Sequence, residues 1–317
     1  MSTAYKNASD AASVCILMCT YQGEKHLIEQ LESIRKQTYR NWRLFVSDDG
    51  STDNTVTVLR DFQSSLAPGQ MEIFFGPKNG FASNFMSLLL NPAIKGSYYA
   101  FSDQDDYWCN DKLSAAISRL TPLSGHENRP AAYASARTLV DDALQPIGKE
   151  GARSLVPSFG NALVQNIAGG NTIVLNSPMR QLLLEIGAIE VVSHDWWIYL
   201  ICTGTGGIFY YDKVPHLLYR QHLHNAIGSR RSLRTRLNDV RQVFGGRYRR
   251  WIDINVNSLT KAKWAFTENN AIALDTVATL RSAGAHKRII CLFRSGIHRQ
   301  SWLGTAGLFF ACLLNLI

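Results

Sequence analysis

The sequence lacks any paired-cysteine motif. Six cysteines are present among 317 residues, but no two are separated as CxxC, and Cys15 and Cys19 fall inside one apolar run. This pattern excludes a disulfide framework and a cysteine-rich zinc site, and it is typical of a reducing compartment. The amino-terminal residues 1–12 are polar and lack the charged-then-apolar pattern of a signal peptide. We therefore expect the main body of the protein to be cytoplasmic.

Two phosphate-binding fingerprints are also missing. Neither GxGxxG nor GxxxxGK with a following Ser or Thr comes after the first predicted strand, 13–20. This argues against a dinucleotide-binding domain and against a P-loop. With 46% hydrophobic and 18% charged residues, the chain has the composition of an ordinary globular protein. Its length suits one large domain with an appendage, or two modest domains.

No terminal segment is long enough to cross a bilayer. The uncharged, mostly apolar segment 301–317 is shorter than the roughly 20 residues that a span requires. The net charge is +8, and an arginine block opposed only by Asp239 contributes much of it: Arg230, Arg231, Arg234, Arg236, Arg241, Arg247, Arg249 and Arg250. Such a block suits nucleic acid or an anionic membrane, with a solvated helix face as the alternative. We expect segment 301–317 to attach to one membrane face, with a buried final helix as the alternative.

Apolar runs alternate with helical periodicity through residue 120, which predicts parallel strands and right-handed crossovers. Strands are predicted at 13–20, 42–48, 71–75, 97–102, 131–140, 168–175, 208–211 and 214–219. Helices are predicted at about 24–37, from a cap at 51–53 to about 63, at 82–90, beginning near 111, at 177–186, following the segment 191–197, and from 229 to the end. A loop is predicted at 145–157. The predicted fold class is therefore α/β, a doubly wound mixed, mainly parallel sheet with a helical carboxyl-terminal extension.

Carboxylates cluster where the fourth strand ends, in Ala100-Phe-Ser-Asp-Gln-Asp-Asp-Tyr-Trp108. In open α/β sheets, ligands bind at the carboxyl edge of the strands. Asp103 and Asp105 are separated by one residue, so on extended backbone both can reach one hard divalent cation. The sequence predicts a metal–diphosphate site here, while a plain acidic loop is the alternative for Asp106.

The first two strands end at the same predicted edge, in Thr20-Tyr21 and in Asp48-Asp49-Gly50-Ser51. A tyrosine ring beside a lone carboxylate suits a flat base that carries an N–H group, because the ring stacks and the carboxylate accepts the hydrogen bond. The alternative for Asp48 to Ser51 is a turn with a helix cap.

These motifs, together with Asp111-Lys112-Leu113, resemble family 2 glycosyltransferases over roughly residues 13–225. The run Phe101 to Trp108 is most similar to the rhamnosyltransferase-like group of bacterial surface-polysaccharide assembly. The resemblance implies the A-type nucleotide-sugar-binding fold. It also implies a catalytic domain at 13–228, divided into a nucleotide-binding half, 13–120, and an acceptor half, 121–228, followed by the helical region 229–317.

By this resemblance, Asp49 contacts the pyrimidine N3, Asp103 the ribose, and Asp105 the Mg²⁺ or Mn²⁺ that bridges the diphosphate. The other expected nucleotide-sugar contacts are Thr20, Tyr21, Gly23, Glu24 and Asn84, with Lys78-Asn79-Gly80 beside them; a turn with a helix cap is the alternative there. His222 is expected in the metal shell, where a structural histidine is the alternative, and Arg220 suits the diphosphate.

His194-Asp195-Trp196-Trp197 supplies a second anchor. An inverting transfer needs a carboxylate that removes the proton of the acceptor hydroxyl, and Asp195 matches the position of the base in the resembled family. A helix cap is its alternative. Gly170, Asn171 and Trp196 are expected on the acceptor side, with a flexible strand entry and a core indole as the alternatives.

Together these features predict an inverting, metal-dependent glycosyltransferase at the inner face of the cell membrane. The resemblance suggests transfer of L-rhamnose from dTDP-rhamnose to a glycan or lipid-linked glycan. One alternative is a catalytically silent, membrane-associated nucleotide-sugar-binding protein. An arginine-rich nucleic-acid binder is disfavoured, because few aromatic residues are interleaved with the arginines apart from Tyr248 and Trp251.

Overall fold

The computed structural model describes residues 12–124, 129–149, 155–221, 246–280 and 283–314. Its strands are β1 Val14–Thr20, β2 Trp42–Asp48, β3 Met71–Phe75, β4 Tyr98–Ser102, β5 Tyr107–Trp108, β6 Ala131–Val140, β7 Pro146–Lys149, β8 Val174–Asn176 and β9 Ile208–Arg220. Its α-helices are α1 Leu27–Arg35, α2 Thr55–Ser64, α3 Gly80–Leu89, α4 Lys112–Ser124, α5 Phe159–Ala162, α6 Ser177–Ile186, α7 His194–Gly204, α8 Arg247–Ala262, α9 Glu268–Thr279, α10 Ala285–Arg294 and α11 Trp302–Leu313.

The strands form one mixed sheet in the order β3-β2-β1-β4-β8-β6-β9-β5, and β7 pairs with β6. β1 runs parallel to β2 and β4, and β2 runs parallel to β3. β8 runs antiparallel between β4 and β6, whereas β6 and β9 are parallel. The predicted α/β class, with a mixed, mainly parallel sheet and a helical carboxyl-terminal region, is confirmed.

Every residue of β1 is buried, as its continuous apolar run predicts. Alternate side chains enter two cores on opposite faces of the sheet, because successive strand residues point to opposite sides. Cys15 and Leu17 pack in the core that includes Phe85 of α3 and Trp197 of α7. Val14, Ile16 and Met18 belong to the other core, which includes residues of α1, α2 and α4.

Two predicted boundaries in the second half are wrong. The two strands expected at 208–211 and 214–219 are one strand, β9, whose pairing with β6 changes register around Ser135 and Ala136. The predicted loop 145–157 begins with β7, which pairs with β6 after a turn in which the Asp141 carboxylate accepts from Ala143 N and Gln145 N. Pro146 is tolerated because β7 forms the edge of the pairing.

The predicted strand 168–175 is also different. Residues Gly170–Thr172 form a short 3₁₀ helix, and only β8 continues as a strand. The two-residue strand β5, which pairs with β9, was not predicted, because a segment this short shows no periodicity.

The carboxyl-terminal helices share the core of the catalytic sheet. Ile252 of α8, Leu274 of α9, Leu292 of α10 and Leu308 of α11 join the core that contains Trp197. Within the ranges described, no helix combines the length and apolarity needed to cross a bilayer. Arg247, Arg249 and Arg250 begin α8, whereas the rest of the arginine block, Arg230 to Arg241, lies outside the described residues.

Two helix glycines should respond oppositely to alanine. A Cβ at Gly160 in α5 would lie 2.3 Å from the carbonyl oxygen of Gly296, whereas one at Gly307 in α11 meets nothing within 4 Å. We expect Gly160→Ala to destabilise the protein by about 1–3 kcal/mol through overpacking. Gly307→Ala should stabilise it by about 0.5–1 kcal/mol through helix propensity. Urea unfolding measures both, and a stable Gly160→Ala protein would contradict this close contact.

Candidate active site

A side chain of the acidic loop ties the ends of β1 and β4 together. The Gln104 amide bonds both the backbone N–H and the backbone C=O of Tyr21, because Tyr21 N donates to Oε1 at 2.8 Å and Nε2 donates to Tyr21 O at 2.9 Å. Gly23 lies against this amide, and a Cβ there would be 2.3 Å from Oε1. The Tyr21 ring remains exposed. The loop that carries Asp103 and Asp105 is thereby fixed beside Tyr21.

The two aspartates after β2 have different partners. Asp48 is buried and accepts from Thr20 Oγ1 at 2.9 Å and from Ser51 N at 2.8 Å, which makes it a turn-forming residue. Asp49 accepts from Lys78 N at 2.6 Å and Gly80 N at 3.2 Å. A carboxylate has about four lone-pair sites, so Asp49 can accept a further N–H donor.

Two other predicted donor-site positions have structural partners. Glu24 Oε2 accepts from the backbone and side-chain nitrogens of Asn54 at 2.9 Å, just before α2. Asn84 is buried and donates from Nδ2 to Ser47 O at 2.9 Å, while its Oδ1 has no hydrogen-bond partner. Asn84 therefore retains an acceptor, whereas Glu24 serves the start of α2.

Burial and mutual repulsion raise the pKa values of the acidic loop. Burial raises the pKa of Asp103 to about 7, and the charges of Asp105 and Asp195 act in the same direction. Burial, followed by Asp105 and Asp103, also raises the pKa of Asp106 well above its usual range. Asp106 Oδ2 accepts from Asn171 Nδ2 at 2.6 Å, whereas its buried Oδ1 has no hydrogen-bond partner among the residues that the structure describes. Several carboxylates thus share one poorly solvated region.

Asp195 stands in the first turn of α7, across from this loop. Its Oδ1 accepts from Ser193 Oγ and from Trp196 N at 2.7 Å. The preceding residue, His194, is buried against Phe85 and Phe101, with ring centroids 4.1 and 5.1 Å away. Burial lowers the pKa of His194 to about 4, so this imidazole is neutral at physiological pH. Because His194 packs against Phe101, the first turn of α7, which carries Asp195, lies next to the end of β4, where the acidic loop begins at Asp103.

The residues expected on the acceptor side are buried. Gly170 packs against His194, because a Cβ there would lie 2.2 Å from Nε2. The amide of Asn171 is occupied by Asp106 and by Arg137, whose Nη1 donates to Oδ1 at 3.4 Å. Trp196 donates from Nε1 to Ala162 O at 2.7 Å. Trp196 and Trp197 are both core residues, so the core indole given as the alternative for Trp196 describes its position.

Arg220 also departs from expectation. Its side chain has no exposed surface; Nε donates to Asp105 O at 3.0 Å, and the other nitrogens bind Asp142 O and the Glu29 carboxylate. The guanidinium therefore connects the acidic loop, the β6–β7 turn and α1, instead of facing a diphosphate. His222, the second expected metal ligand, lies outside the described residues.

Two cations of the site were missed from the sequence. Lys112 is buried with Nζ 3.9 Å from the Trp108 ring centroid, and burial lowers its pKa to about 7. Arg137 of β6 reaches Asn171 and lies 4.2 Å from the Tyr219 ring centroid. The motif Asp111-Lys112-Leu113 could have indicated Lys112 as a site residue. A single arginine in a strand, such as Arg137, has no sequence pattern that would indicate it. Phe81, half-exposed at the start of α3 with its centroid 6.4 Å from that of His194, was also missed.

The donor set can be tested for its fit to a divalent ion. Among the described side chains, no group of three or more His, Cys, Asp and Glu residues is arranged to hold a metal. Mg²⁺ and similar ions are commonly held by one or two carboxylates together with substrate phosphates. Asp103 and Asp105 provide hard oxygen ligands, and the unpartnered Asp106 Oδ1 lies in the same loop. The residues fit an ion that binds with a phosphate ligand.

Comparison with known proteins assigns the family. Residues 15–123 match the model of the family described as "Glycosyl transferase family 2". The dTDP-rhamnosyl transferase RfbG of Shigella flexneri is 31% identical over 261 residues, which are 76% of this chain and 84% of that protein. The chain belongs to glycosyl transferase family 2. The expected enzyme class, a glycosyltransferase that depends on a nucleotide sugar, is confirmed.

Other similarities are more partial. The Escherichia coli UDP-Glc:alpha-D-GlcNAc-diphosphoundecaprenol beta-1,3-glucosyltransferase WfgD is 34% identical over 107 residues, 34% of this glycosyltransferase and 40% of that protein. S. aureus TarS 1-349 in complex with UDP-GlcNAc superposes with a TM-score of 0.54 at 14% identity, covering 90% of this chain and 93% of that chain. The structure of GalNAc-T7 with UDP, GalNAc and Mn²⁺ superposes with a TM-score of 0.51 at 13% identity, covering 73% of this chain and 48% of that chain. These structures support the expected A-type fold.

Arg220→Lys should destabilise this glycosyltransferase by about 1–3 kcal/mol, because a lysine at this fully buried position cannot reproduce the hydrogen bonds to three separate segments. Arg43→Lys is the matched control, since Arg43 pairs with Glu72 at 2.7 Å and both side chains are partly exposed. The control should stay within about 0.5 kcal/mol of the parent protein. Urea unfolding compares the two variants, and equal midpoints would contradict the bridging role of Arg220.

Proposed function

We propose that this chain is an inverting, metal-dependent glycosyltransferase that transfers L-rhamnose from dTDP-rhamnose to a glycan or lipid-linked glycan. The observation that carries the proposal is the packing of His194 against Phe101, which brings the first turn of α7, with Asp195, next to the loop of Asp103 and Asp105. The similarity to a dTDP-rhamnosyl transferase supports the donor. The similarity to an enzyme named for a diphosphoundecaprenol acceptor supports a lipid-linked acceptor.

The nucleotide-binding half, 13–120, holds the donor in this proposal. Asp49 accepts the base N–H beside the exposed Tyr21 ring, and Asp103 accepts from the ribose. Asp105 holds Mg²⁺ or Mn²⁺ together with the donor phosphates, and His222 is the proposed second ligand. The bound ion offsets the negative charge that the leaving nucleoside diphosphate gains.

The acceptor half, 121–228, supplies the base. Ser193 Oγ and Trp196 N hold Oδ1 of Asp195, so the carboxylate has one preferred orientation. Oδ2 has no hydrogen bond to any residue in the described part of the chain, which leaves it available to take the acceptor proton. General base catalysis of this kind contributes about 10²–10⁴-fold to the rate.

Asp195→Asn should lower the transfer rate by about 10²–10⁴-fold, because an amide cannot take the hydroxyl proton. It should leave the affinity for dTDP within about threefold, since Asp195 does not hold the nucleotide. Rhamnose transfer to a lipid-linked glycan measures the first effect, and calorimetric titration with dTDP and Mn²⁺ measures the second.

Two variants serve as controls for this experiment. Asp61→Asn, at an exposed position of α2, should transfer normally. Asp105→Asn should lose metal-dependent dTDP binding as well as transfer. Full activity of Asp195→Asn would remove it as the base. Slow hydrolysis of dTDP-rhamnose by the parent protein, without transfer to any acceptor, would instead favour the catalytically silent binding protein.

We also infer that α11 attaches the enzyme to the anionic inner face of the cell membrane. Leu308, Ala311 and Cys312 bury one face of α11. The other face exposes Trp302, Leu303, Phe310 and Leu313, and residues 302–313 carry no charge. Arg299, just before α11, lies 5.9 Å from the Tyr248 ring centroid, which brings the arginines of α8 close. An apolar face beside arginines matches anionic lipid.

Replacing Trp302 and Phe310 together by serine should weaken binding to vesicles of anionic phospholipid by at least about tenfold, because each buried aromatic contributes roughly 1.5–3 kcal/mol. Co-sedimentation with anionic and with neutral vesicles measures this. Ile147→Ser removes an exposed apolar side chain of β7 and should bind like the parent protein. Equal sedimentation of all three proteins would exclude α11 as the attachment site.

A further inference from the structure

Arg137 is a cation inside the acidic crevice for which neither the motifs nor the family resemblance gives a role. It projects from β6, and its charge counteracts the rise in the pKa values of both Asp103 and Asp106. The pKa of Tyr219, on which Arg137 stacks, responds to Asp103, Asp105 and Asp106 as well. Asn171 connects Arg137 to the loop after β4, because Arg137 Nη1 donates to Asn171 Oδ1 at 3.4 Å and Asn171 Nδ2 donates to Asp106 Oδ2 at 2.6 Å.

The surroundings hold this guanidinium in one orientation. Its Cζ is 4.2 Å from the Tyr219 ring centroid, and Nη1 donates to Asn171 Oδ1 at 3.4 Å. Gly169 leaves room for it, since a Cβ at that position would be 2.3 Å from Nη1. A stacked guanidinium keeps its N–H edges in a fixed plane, which suits phosphate oxygens.

Partial exposure distinguishes Arg137 from the neighbouring cations. The Arg220 side chain is sealed and bonded to backbone carbonyls, and Lys112 is buried against Trp108. Arg137 is half-buried, so a ligand in the crevice can approach it. A phosphate entering beside several carboxylates meets repulsion, which a fixed positive charge at this place reduces.

We propose that Arg137 binds the diphosphate of the nucleotide sugar and stabilises the nucleoside diphosphate as it leaves; this rests on the proposed function. In the transfer, the acceptor oxygen forms a bond to the anomeric carbon while the bond from that carbon to the diphosphate oxygen breaks. The electron pair of the broken bond stays on the diphosphate, next to the guanidinium. The acceptor proton goes to Asp195.

Nucleotide titrations test the proposal, because thymidine lacks the phosphates of dTDP. In the presence of Mn²⁺, Arg137→Met should bind dTDP about 10- to 100-fold more weakly, the loss expected for one charge-assisted hydrogen bond. Its affinity for thymidine should change by less than about twofold. Arg137→Lys, which retains the charge, should bind dTDP with an affinity between those of the parent protein and Arg137→Met. It replaces the methionine variant in the test if that variant does not fold.

Two further variants separate a diphosphate contact from a structural role. Gly169→Ala keeps Arg137 but displaces its guanidinium, so dTDP binding should weaken while thymidine binding persists. Arg119→Met removes an exposed arginine that stacks on Tyr210 at 5.4 Å, and it should bind dTDP like the parent protein.

Two results would overturn the role of Arg137 alone. These are unchanged dTDP affinity in Arg137→Met, and an equal loss of dTDP and thymidine affinity with a lowered melting temperature. Failure of the parent protein to bind dTDP or UDP with Mn²⁺ would instead overturn the proposed function, and the inference with it.

Discussion

Burial of carboxylates at the end of β4 is the constraint on which the site depends. Removing a carboxylate from water is costly unless donors or cations compensate it. Asn171 donates a hydrogen bond to Asp106. Positive charge nearby comes from Arg137 and Lys112. Arg220 fixes the backbone at Asp105. Within the described part of the chain the compensation is incomplete, because Asp106 Oδ1 and Lys112 Nζ are buried without hydrogen-bond partners there. A region with this charge distribution favours a ligand that brings both a cation and phosphate oxygens.

The carboxyl-terminal helices are connected to this site through the core. Trp251 of α8 packs edge-on against Trp196, with centroids 6.3 Å apart, and Trp196 directly follows Asp195. Helix α11 contributes Leu308 and Cys312 to the same core. The orientation of Asp195 therefore depends on helices that lie outside the sheet. An enzyme attached through the outer face of α11 would hold Asp195, the proposed base, at a fixed position relative to the membrane.

Periodicity predicted the first half of the fold well and the second half less well. β1, β2 and β4 are apolar runs buried in the sheet, and β3 is a short run at its edge; the boundaries of all four agree with the pattern to within about one residue. The segment around Gly170 was assigned wrongly, because its conformation depends on partners far along the chain. The segment from Pro146 pairs locally with β6, but proline and glycine in it indicated a loop. Asn171 bonds a residue 65 positions away, and Gly170 fits against His194. Local patterns contain no information about such partners.

By itself, the sequence determined the α/β class, the edge at which the acids meet, and the family, because these follow from strand periodicity and from motifs within a few residues. Only the tertiary structure decided which charged side chains face the crevice and which stabilise its walls. Arg220 bonds Asp105, 115 positions away, and its side chain has no exposed surface, whereas Arg137 is half-buried beside the same loop. Trp196 is likewise assigned to the core by the helices packed around it. Exposure and partner choice arise from packing between distant segments, which the order of residues does not display.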